Sequence, residues 1–534
     1  MITSLDALAD LDVSAGLCIV GAGPAGLEVA RFFNDSTVSV VVLEGGDFEY
    51  DLKTQGLHRI VCVGKKIRSF ADEFNPHLPP EVRSESRIRQ FGGTSNVWSG
   101  KWKALTPDDF EAKAWIPHSG WPLNYNEFLP YYREVVKDYG LPQSLLDSEA
   151  SRPHGRRGAV AEALRRSISY KQSPPLDFNG VFRRTLEDSQ NVTVILNANV
   201  TGLVMDAVAS RVSHVVARSL EGKEIHVHAE TFVLAAGSLE NARLLLVLRD
   251  RRGRAAGHDL DLVGRFYMDH PKVKRGRLVP AHPLRLKHFL APRKREQGTA
   301  IGFRLSPALR QRASLPNHST ELLPASAPDD WSASRAAMRA AWNGRRWSTL
   351  LRLFAFTLSW SPRRAFRWLL FRYLGLASQY ELVHHLEQLP NPESHVYLSS
   401  GETDALGEPV LVVDWELTER DRALFKTYLE NLQAEISRHQ IGQVTYPARE
   451  VDLESLADAA HHMGVIRMGS SSGNGVVDKD CKVFGIPNLY VAGSAVFPTA
   501  GNANPMLTIL ALSRRLSHHL SQMMGGGGKD SSCA

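Results

Sequence analysis

The stretch Leu17-Cys-Ile-Val-Gly-Ala-Gly-Pro-Ala-Gly26 decides the fold. Its four leading apolar residues predict a short buried strand, and the apolar spacing over residues 27–33 predicts a helix after the glycine-rich turn. A second apolar strand, residues 38–43, ends at Glu44. This strand–turn–helix–strand order is typical of the first βαβ unit of a dinucleotide-binding sheet.

Each glycine of the turn has its own expected role. Gly21 permits the tight turn, Gly23 lets the backbone approach a pyrophosphate, and Gly26 lets the helix pack closely on the strand. The N-terminus of the helix would face the phosphate charge, and Glu44 stands where an acid binds the ribose hydroxyls of adenosine. The alternative is a glycine turn in an unrelated α/β protein. The fingerprint by itself leaves both FAD and NAD open.

Length and composition set further limits. The chain has 534 residues, 43% hydrophobic and 22% charged, which favours an ordinary globular protein of two domains. The net charge of +6 is concentrated in residues 331–380, which hold nine arginines and no acidic residue, so a nucleic-acid-binding face is not expected. Four separated cysteines argue against a metal site and a disulfide scaffold. Without a recognisable signal peptide, the sequence predicts a cytoplasmic protein.

Two later segments belong to the same predicted sheet. Residues 230–237 and 489–494 are apolar strands that run into Ala-Gly, and small residues there let a backbone approach a ligand at the carboxyl edge of a parallel sheet. The predicted fold class is therefore α/β, with a discontinuous Rossmann-like cofactor domain and a separate substrate domain. We expect the cofactor domain over 1–105, 191–274 and 456–524, and the substrate domain over 106–190 and 275–455.

Four stretches of the chain carry a resemblance to a known family. They are residues 21–44, Gln90-Phe-Gly-Gly-Thr-Ser-Asn-Val-Trp-Ser-Gly100, Ala235-Ala-Gly-Ser-Leu-Glu-Asn-Ala-Arg243 and His461-His-Met-Gly-Val-Ile-Arg-Met-Gly469. With these motifs the chain resembles the glucose–methanol–choline (GMC) oxidoreductases, of the branch that contains pyranose oxidases and bacterial sugar dehydrogenases. The usual Thr of the last motif is replaced by Val465, which weakens any hydroxyl contact there.

The resemblance implies an FAD-binding Rossmann-like domain and a substrate domain with a six-stranded, mostly antiparallel sheet and helices. It implies oxidation of an alcohol to an aldehyde or ketone, by proton abstraction and hydride transfer to flavin N5. A sugar, aminosugar or polyol-like substrate is expected, with oxygen, a quinone or a carrier as electron acceptor. The alternatives are a hydrophobic, aryl or lipid-linked alcohol, a non-redox lyase that retains FAD, or a non-catalytic flavoprotein.

Two residues are expected at the reaction centre. The family places its catalytic base at the first His of an H-x-x-G motif, which is His461 here, and a neutral imidazole suits proton abstraction near neutral pH. Asn504 fills the family's His-or-Asn position that holds the substrate hydroxyl, with Asn502 as the competing choice. A histidine that only bonds within the core, and an Asn504 that only caps the helix before Pro505, are the structural alternatives.

The resemblance also assigns the flavin contacts. Some relatives tether FAD through a His in the glycine loop, and Val97 occupies that position here, so noncovalent FAD is expected. Trp98 fits packing as well as cofactor contact, and Asp269 and His270 are expected to be structural. The expected cofactor-binding residues are Gly21, Gly23, Pro24, Ala25, Gly26, Glu44, Gly45, Gly92, Gly93, Ser95, Asn96, Val97, Val200, Ala236, Gly237, Gly493, Ser494, Asn504, Pro505 and Met506.

One segment departs from the family pattern. Residues 331–380 form an Arg/aromatic-rich insertion, whose aromatic residues alternate with arginines over 347–374. Packing on the substrate domain with solvated arginines is the favoured interpretation. The alternative is peripheral contact with a membrane or a subunit through residues 345–374. The glycine-rich end, residues 525–534, is expected to be a flexible tail.

Overall fold

The computed structural model describes residues 1–64, 86–146, 163–206, 208, 210–252, 260–290, 298–325, 377–448 and 456–525. The predicted insertion at 331–380 lies outside the described residues apart from 377–380, and the predicted tail lies outside them apart from Gly525. The contact proposed for residues 345–374 therefore also falls outside them.

Strands and helices are numbered here along the described chain. The strands are β1 (Ile2–Ser4), β2 (Asp12–Val20), β3 (Val40–Leu43), β4 (Ile60–Cys62), β5 (Lys101–Trp102), β6 (Leu164–Lys171), β7 (Val192–Leu196), β8 (Asn199–Met205), β9 (Val212–Arg218), β10 (Glu224–Leu234), β11 (Lys272–Pro280), β12 (Thr299–Leu305), β13 (Ser319–Pro324), β14 (Tyr380–His385), β15 (His395–Thr403), β16 (Pro409–Asp414), β17 (Gly442–Thr445) and β18 (Leu489–Val491). The helices are α1 (Pro24–Phe33), α2 (Leu52–Gly56), α3 (Pro107–Phe110), α4 (Tyr125–Asp138), α5 (Phe178–Glu187), α6 (Ser238–Arg252), α7 (Pro283–Leu290), α8 (Pro307–Arg312), α9 (Glu419–Arg438) and α10 (Met506–Met523).

The first sheet has eight strands in the order β1-β7-β3-β2-β10-β9-β8, and β18 pairs with β10 as well. Strands β1, β7, β3, β2, β10 and β18 run parallel to one another, whereas β9 pairs antiparallel with both β10 and β8. The apolar run that the sequence predicted as a buried strand is the end of β2, and Leu17, Cys18 and Ile19 there are fully buried. A sheet covered on both faces requires such continuous apolar strands.

The second sheet is antiparallel, with the strand order β17-β11-β14-β13-β12-β6-β5. It has seven strands rather than the six expected, since the two-residue β5 adds an edge beside β6. Strands β5 and β11 both begin inside ranges expected for the cofactor domain, yet they pair in this sheet. The chain therefore enters the antiparallel sheet at Lys101 and at Lys272, a few residues before the expected domain boundaries. A third, small sheet has the order β15-β16-β4.

The two faces of the antiparallel sheet differ in character because side chains alternate along each strand. On one face Leu322 and Leu382 pack with Phe425 and Tyr428 of α9 in a separate hydrophobic core, and the Thr320 hydroxyl lies 2.8 Å from the Tyr428 hydroxyl. The opposite face carries polar side chains and closes a cavity against the first sheet. Within the described chain, no helix is long and apolar enough to cross a bilayer.

A buried ion network fixes helix α10 to helix α1. The guanidinium of Arg514 on α10 donates to Glu28 of α1 at 2.5 and 2.8 Å and to Asp138 at 2.8 Å. Glu28 is fully buried, and it also accepts from Arg31 and from the Tyr139 hydroxyl. Helix α10 begins beside the cavity, so this network sets the position of one cavity wall.

We predict that Arg514→Leu lowers the free energy of unfolding by about 3 kcal/mol, because it leaves part of a buried carboxylate charge uncompensated. Thermal or urea unfolding monitored by circular dichroism measures the change. Arg183→Leu is the matched control, since its ion pair with Glu187 is about half exposed and such pairs contribute less than about 1 kcal/mol. Equal losses in the two variants would contradict the role given to the buried network.

Candidate active site

The glycine-rich turn joins β2 to α1 and brings two strand ends together. Gly21 has a φ of +105°, and a Cβ there would lie 2.7 Å from the backbone of Ala235 and Ala236 at the end of β10. A Cβ on Gly26 would lie 2.0 Å from the Gly21 oxygen. Only glycine fits these two positions, and helix α1 is thereby packed tightly on the strand with its free N-terminal N–H groups at the cavity.

Glu44, at the end of β3, is bound from both sides by the backbone. Its carboxylate accepts hydrogen bonds of 2.8 Å from the N–H groups of Ala22 and Gly46. The side chain is 5% exposed and lines the cavity. Burial raises the pKa of Glu44 against the lowering effect of these N–H groups. Each carboxylate oxygen can accept a second hydrogen bond, so the group can also bind ligand hydroxyls.

A cavity of about 970 Å³ extends from this turn to the polar face of the antiparallel sheet. Of the twenty residues expected to bind the cofactor, seventeen line it, and so does His461. These seventeen are Gly21, Gly23, Pro24, Ala25, Glu44, Gly45, Gly93, Ser95, Val97, Val200, Ala236, Gly237, Gly493, Ser494, Asn504, Pro505 and Met506. These seventeen residues come from seven separate stretches of the chain and meet in one space, and His461 adds an eighth stretch.

Three of the expected residues do not line the cavity. Gly26 packs against the turn as described above. Gly92, with a φ of +92°, donates from its backbone to Ala22. The Asn96 amide donates to the carbonyls of Phe91 and Gly93, each at 2.9 Å. Gly92 and Asn96 therefore shape the loop that carries Gly93 and Val97.

The cavity wall fits a large planar ligand with a dinucleotide tail. Gly237 and Gly493 have φ values of +87° and +111°, and no atom lies within 4 Å of a Cβ built on either residue. Both glycines line the cavity. Any side chain there would therefore project into space that is otherwise open. The glycine turn, the helix N-terminus and Glu44 supply donors for phosphate and acceptors for ribose, as the FAD expectation requires.

His461 is held in the cavity wall by strand pairing and by a buried carboxylate. Met268 and Met463 exchange two backbone hydrogen bonds of 2.9 and 3.0 Å, which sets the segment before His270 beside the segment after His461. A Cβ on Gly464 would lie 2.3 Å from the Phe266 oxygen, so the motif needs glycine there. The backbone N–H of His461 donates to the Asp269 carboxylate at 3.1 Å.

The two histidines form a chain that fixes their protons. His270 Nε2 lies 3.2 and 3.0 Å from the carbonyl oxygens of Ala500 and Gly501, which can only accept. His270 Nε2 therefore carries a proton, and burial lowers the His270 pKa to about 3, so its Nδ1 has a free lone pair. His461 Nδ1 lies 2.9 Å from that nitrogen and must donate to it. The Nε2 atom of His461 is left as an acceptor.

Burial also lowers the pKa of His461 well below its usual value, and the positive charge of Lys272 adds to the effect. The imidazole is thus neutral at neutral pH, the form that can take up a proton. Its neighbour His462 lines the cavity too. The backbone oxygen of His462 accepts hydrogen bonds from the hydroxyls of Ser238 and Ser494 at 2.6 and 2.8 Å. His462 thus ties the histidine loop to both strand ends.

Asn504 corrects one expectation. Helix α10 begins at Met506 and its N-cap residue is Pro505, so the Asn504 side chain does not cap the helix. The Asn504 Nδ2 atom instead lies 3.4 Å from His461 Nε2. Asn502, the competing choice, donates to the Asn317 oxygen at 2.8 Å and does not line the main cavity.

His270 is the residue whose contact with the site was not expected. It was assigned a structural role, yet its ring bonds directly to His461. The two residues are 191 positions apart, so no local periodicity links them. The sequence offered one indication of this contact, the adjacent Asp269 and His270. They directly follow Met268, whose backbone pairs with that of Met463.

The polar sheet face supplies the other side of the cavity. Lys101, Lys272, Glu321 and His385 line it. Glu321 accepts from the Lys101 ammonium at 2.5 Å and lies 3.2 Å from His385 Nε2.

Trp98 lines the cavity as well, and its ring packs edge-on against Trp102, with centroids 4.9 Å apart. The indole N–H of Trp98 donates to the Leu176 oxygen at 3.3 Å, so packing explains this residue.

The GMC oxidoreductase C-terminal family profile matches residues 390–513. The fructose dehydrogenase large subunit of Gluconobacter japonicus is 23% identical over 474 residues, covering 80% of this chain and 79% of that protein. A C-glycoside 3-oxidase of Microbacterium trichothecenolyticum is 34% identical over 129 residues, which is 24% of each chain.

Solved structures share the fold across nearly the whole chain. Pyridoxine 4-oxidase from Mesorbium loti superposes with a TM-score of 0.56 at 17% identity, covering 95% of this chain and 99% of that one. A formate oxidase gives a TM-score of 0.54 at 16% identity, covering 96% and 99%. The arrangement of a dinucleotide-binding sheet over an antiparallel sheet is thus common to these proteins.

We predict that Gly493→Val sharply lowers the amount of flavin nucleotide that copurifies, since its side chain would enter the cavity. Visible flavin absorbance per mole of folded protein measures the change. Gly222→Val is the matched control, because Gly222 has a φ of +90° with open space around it, but lies in an exposed turn. Strain alone, about 1–2 kcal/mol, would affect both variants alike. Equal flavin content in the two would contradict the assignment of the cavity.

Proposed function

Because the chain is a GMC oxidoreductase, we propose that it oxidises a secondary or primary alcohol group of a sugar, aminosugar or polyol-like substrate, with noncovalent FAD as cofactor. One observation carries the proposal: the donor atom Asn504 Nδ2 lies 3.4 Å from the acceptor atom His461 Nε2, and both residues line the cavity. A single alcohol oxygen can accept from the amide and donate its proton to the imidazole.

The residues divide the chemistry between them. His461 Nε2 takes the hydroxyl proton, which prepares the carbon–hydrogen bond for loss of hydride. Asn504 donates to the same oxygen and orients it. His270 accepts from His461 Nδ1 and so keeps the reactive lone pair on Nε2. Bound FAD supplies the hydride acceptor, so that the alcohol loses two electrons and one C–H and one O–H bond in forming the carbonyl.

The cofactor would be held by the groups already described. Gly21, Gly23 and the N-terminus of α1 would bind the pyrophosphate, and Glu44 would bind the ribose. Gly237 and Gly493 would leave room for the flavin. Val97 has no nucleophilic atom, which supports noncovalent binding. The start of α10 at Met506 would place a positive helix end near the isoalloxazine ring, where negative charge accumulates on reduction.

The lining of the cavity supports a polyhydroxylated substrate over a hydrophobic, aryl or lipid-linked alcohol. Hydroxyl groups of Ser169 and Thr299, ammonium groups of Lys101 and Lys272 and the carboxylate of Glu321 all lie along the sheet face. Such groups would lose hydration without compensation against an alkyl chain. Two relatives, a fructose dehydrogenase and a C-glycoside 3-oxidase, are named for sugar substrates, which supports the same choice.

We predict that His461→Ala retains FAD but reduces it about a hundredfold to ten-thousandfold more slowly, because the variant lacks the base. Anaerobic stopped-flow bleaching of the flavin by a panel of sugars, aminosugars and polyols measures the rate. The wild-type protein must bleach with at least one of them, which also separates an oxidase or dehydrogenase from a lyase that retains FAD. Later admission of air distinguishes oxygen from a quinone or carrier as acceptor. Wild-type rates in His461→Ala would refute the assignment.

We predict that His270→Leu slows flavin reduction about 10- to 100-fold, while His270→Gln stays close to wild type. A glutamine oxygen can accept from His461 Nδ1 and its amide can donate to the Ala500 and Gly501 carbonyls. Limiting reduction rate, apparent substrate Kd and the pH profile are measured together. His270→Leu should lower the limiting rate of flavin reduction and leave the apparent substrate Kd unchanged.

His384→Leu and His384→Gln form the matched control pair for His270. The His384 ring is also fully buried and bridges a hydroxyl, of Thr320, and a carbonyl, of Arg275, but it does not line the cavity. These variants should alter stability without changing the pH profile of reduction. Equal rates in His270→Leu and wild type would overturn the positioning role.

A further inference from the structure

We propose that Glu387 is a positioning residue that acts on His461 through the peptide group between Ala500 and Gly501 and through the ring of His270. The inference rests on the proposed function and adds a residue to the same site. Glu387 lies two residues after β14, is 3% exposed and does not line the cavity. Its effect on the reaction must therefore pass through other groups.

The peptide group between Ala500 and Gly501 is bound on both sides. Its N–H, on Gly501, donates to Glu387 Oε1 at 3.1 Å. Its carbonyl oxygen, on Ala500, accepts from His270 Nε2 at 3.2 Å. A carboxylate bound to the N–H of an amide increases the negative charge on the carbonyl oxygen, because linked hydrogen bonds polarise one another. The Ala500 oxygen is thus a stronger acceptor than a carbonyl without such a partner.

His270 passes this effect to the reactive nitrogen. A stronger acceptor at its Nε2 atom holds the His270 proton there and makes its Nδ1 atom a better acceptor for His461 Nδ1, which lies 2.9 Å away. The Nε2 atom of His461 becomes a better base in turn. No proton leaves His270 in this arrangement. Glu387, the peptide group and His270 only stabilise the positive charge that His461 gains with the substrate proton, as the carboxylate does in a Ser-His-Asp triad.

The backbone turn at Gly501 makes this geometry possible. Gly501 has a φ of +60°, and a Cβ there would lie 2.4 Å from Leu105 Cδ2, so only glycine fits. In this conformation two successive carbonyl oxygens, of Ala500 and Gly501, lie 3.2 and 3.0 Å from the same ring nitrogen of His270. The Gly501 N–H points away from His270, toward Glu387.

The second oxygen of Glu387 anchors the loop that carries Asn504. Glu387 Oε2 accepts from the backbone N–H of Asn317. The Asn317 carbonyl oxygen accepts from the Asn502 side chain at 2.8 Å. Two residues further on, Asn504 Nδ2 lies 3.4 Å from His461 Nε2. One carboxylate therefore positions both residues of the reaction centre.

The surroundings of Glu387 suit its ionised form. Both of its oxygens accept from backbone N–H groups, and an ionised carboxylate can only accept. Burial raises the pKa of Glu387, the positive charge of Lys113 lowers it, Asp109 raises it and Arg310 lowers it. Because little water screens a charge at this depth, the carboxylate can influence groups beyond those it touches.

Proton NMR of the oxidised, FAD-loaded protein tests the inference without turnover. Buried imidazole N–H protons resonate downfield of the amide region. The His270 Nε2–H signal is the one that is missing from His270→Gln and retained in His461→Ala. We expect it to move upfield in Glu387→Gln and further upfield in Glu387→Leu. Glutamine keeps the shape and can still accept from Gly501 without the charge, whereas leucine cannot accept at all.

Asp421→Asn is the matched control for these variants. Asp421 is also a buried carboxylate, 8% exposed, and it accepts from the backbone N–H groups of Leu389 and Thr418 at 3.1 and 2.8 Å. Its bond to Leu389 lies two residues from Glu387, so the control shows whether loosening this segment is enough. The His270 signal should stay in place in Asp421→Asn. Circular dichroism confirms folding, and an unmoved signal in folded Glu387→Gln overturns the inference.

The rate of flavin reduction provides a second measurement. With an alcohol that bleaches the wild-type flavin, Glu387→Gln should lower the limiting rate about tenfold and leave the apparent substrate Kd unchanged. Asp421→Asn should keep the wild-type rate. A shifted His270 signal in Glu387→Gln, when no alcohol bleaches the wild-type flavin, would count against the proposed oxidation alone. A wild-type limiting rate in Glu387→Gln counts against the role of Glu387.

Discussion

The buried carboxylate of Asp269 is the interaction on which the active site depends. It accepts hydrogen bonds from the backbone N–H groups of His270, Ala459 and His461, and so joins two segments that are distant in the chain. The bond between the rings of His270 and His461 exists because this carboxylate and the adjoining strand pairing hold both backbones still. The Asp269 carboxylate therefore stabilises the fold around the two histidines and also determines which of their ring nitrogens carry protons. A carboxylate bound by several N–H groups is among the stronger hydrogen-bonded arrangements in proteins.

Most of the fold could be predicted from short-range patterns of small and apolar residues in the sequence. The strand, glycine turn and helix around Gly21 follow from the spacing of small and apolar residues, and the strand ends at Ala235 and Ala492 follow from the same chemistry. Each of these signals is local, because parallel strands buried on both faces need continuous apolar runs. Most of the expected cofactor residues meet in one cavity for the same reason. The seventh strand of the antiparallel sheet, β5, could not be predicted, because two residues are too few to show the alternating pattern of a strand.

The site was less predictable wherever partners are distant in sequence. Nothing near His270 indicates that its ring faces His461, and nothing near Lys272 indicates that it shares a sheet face with Glu321. Such relations depend on strand register, which periodicity cannot supply. At the start of helix α10 a local pattern was misleading. An Asn before a Pro is typical of a helix cap, yet the amide of Asn504 contacts His461 instead. Local rules fail most often at functional positions.

The central strand β10 has a consequence for biogenesis. It pairs with β2 near the start of the chain and with β18 near residue 490, so the parallel sheet joins segments separated by most of the sequence. Contacts of such long range form slowly, since the intervening chain must first be ordered. During synthesis the nucleotide-binding edge stays unfinished until the ribosome has released the last strand. A flavin nucleotide that binds the completed edge would then stabilise the finished sheet over partly folded chains.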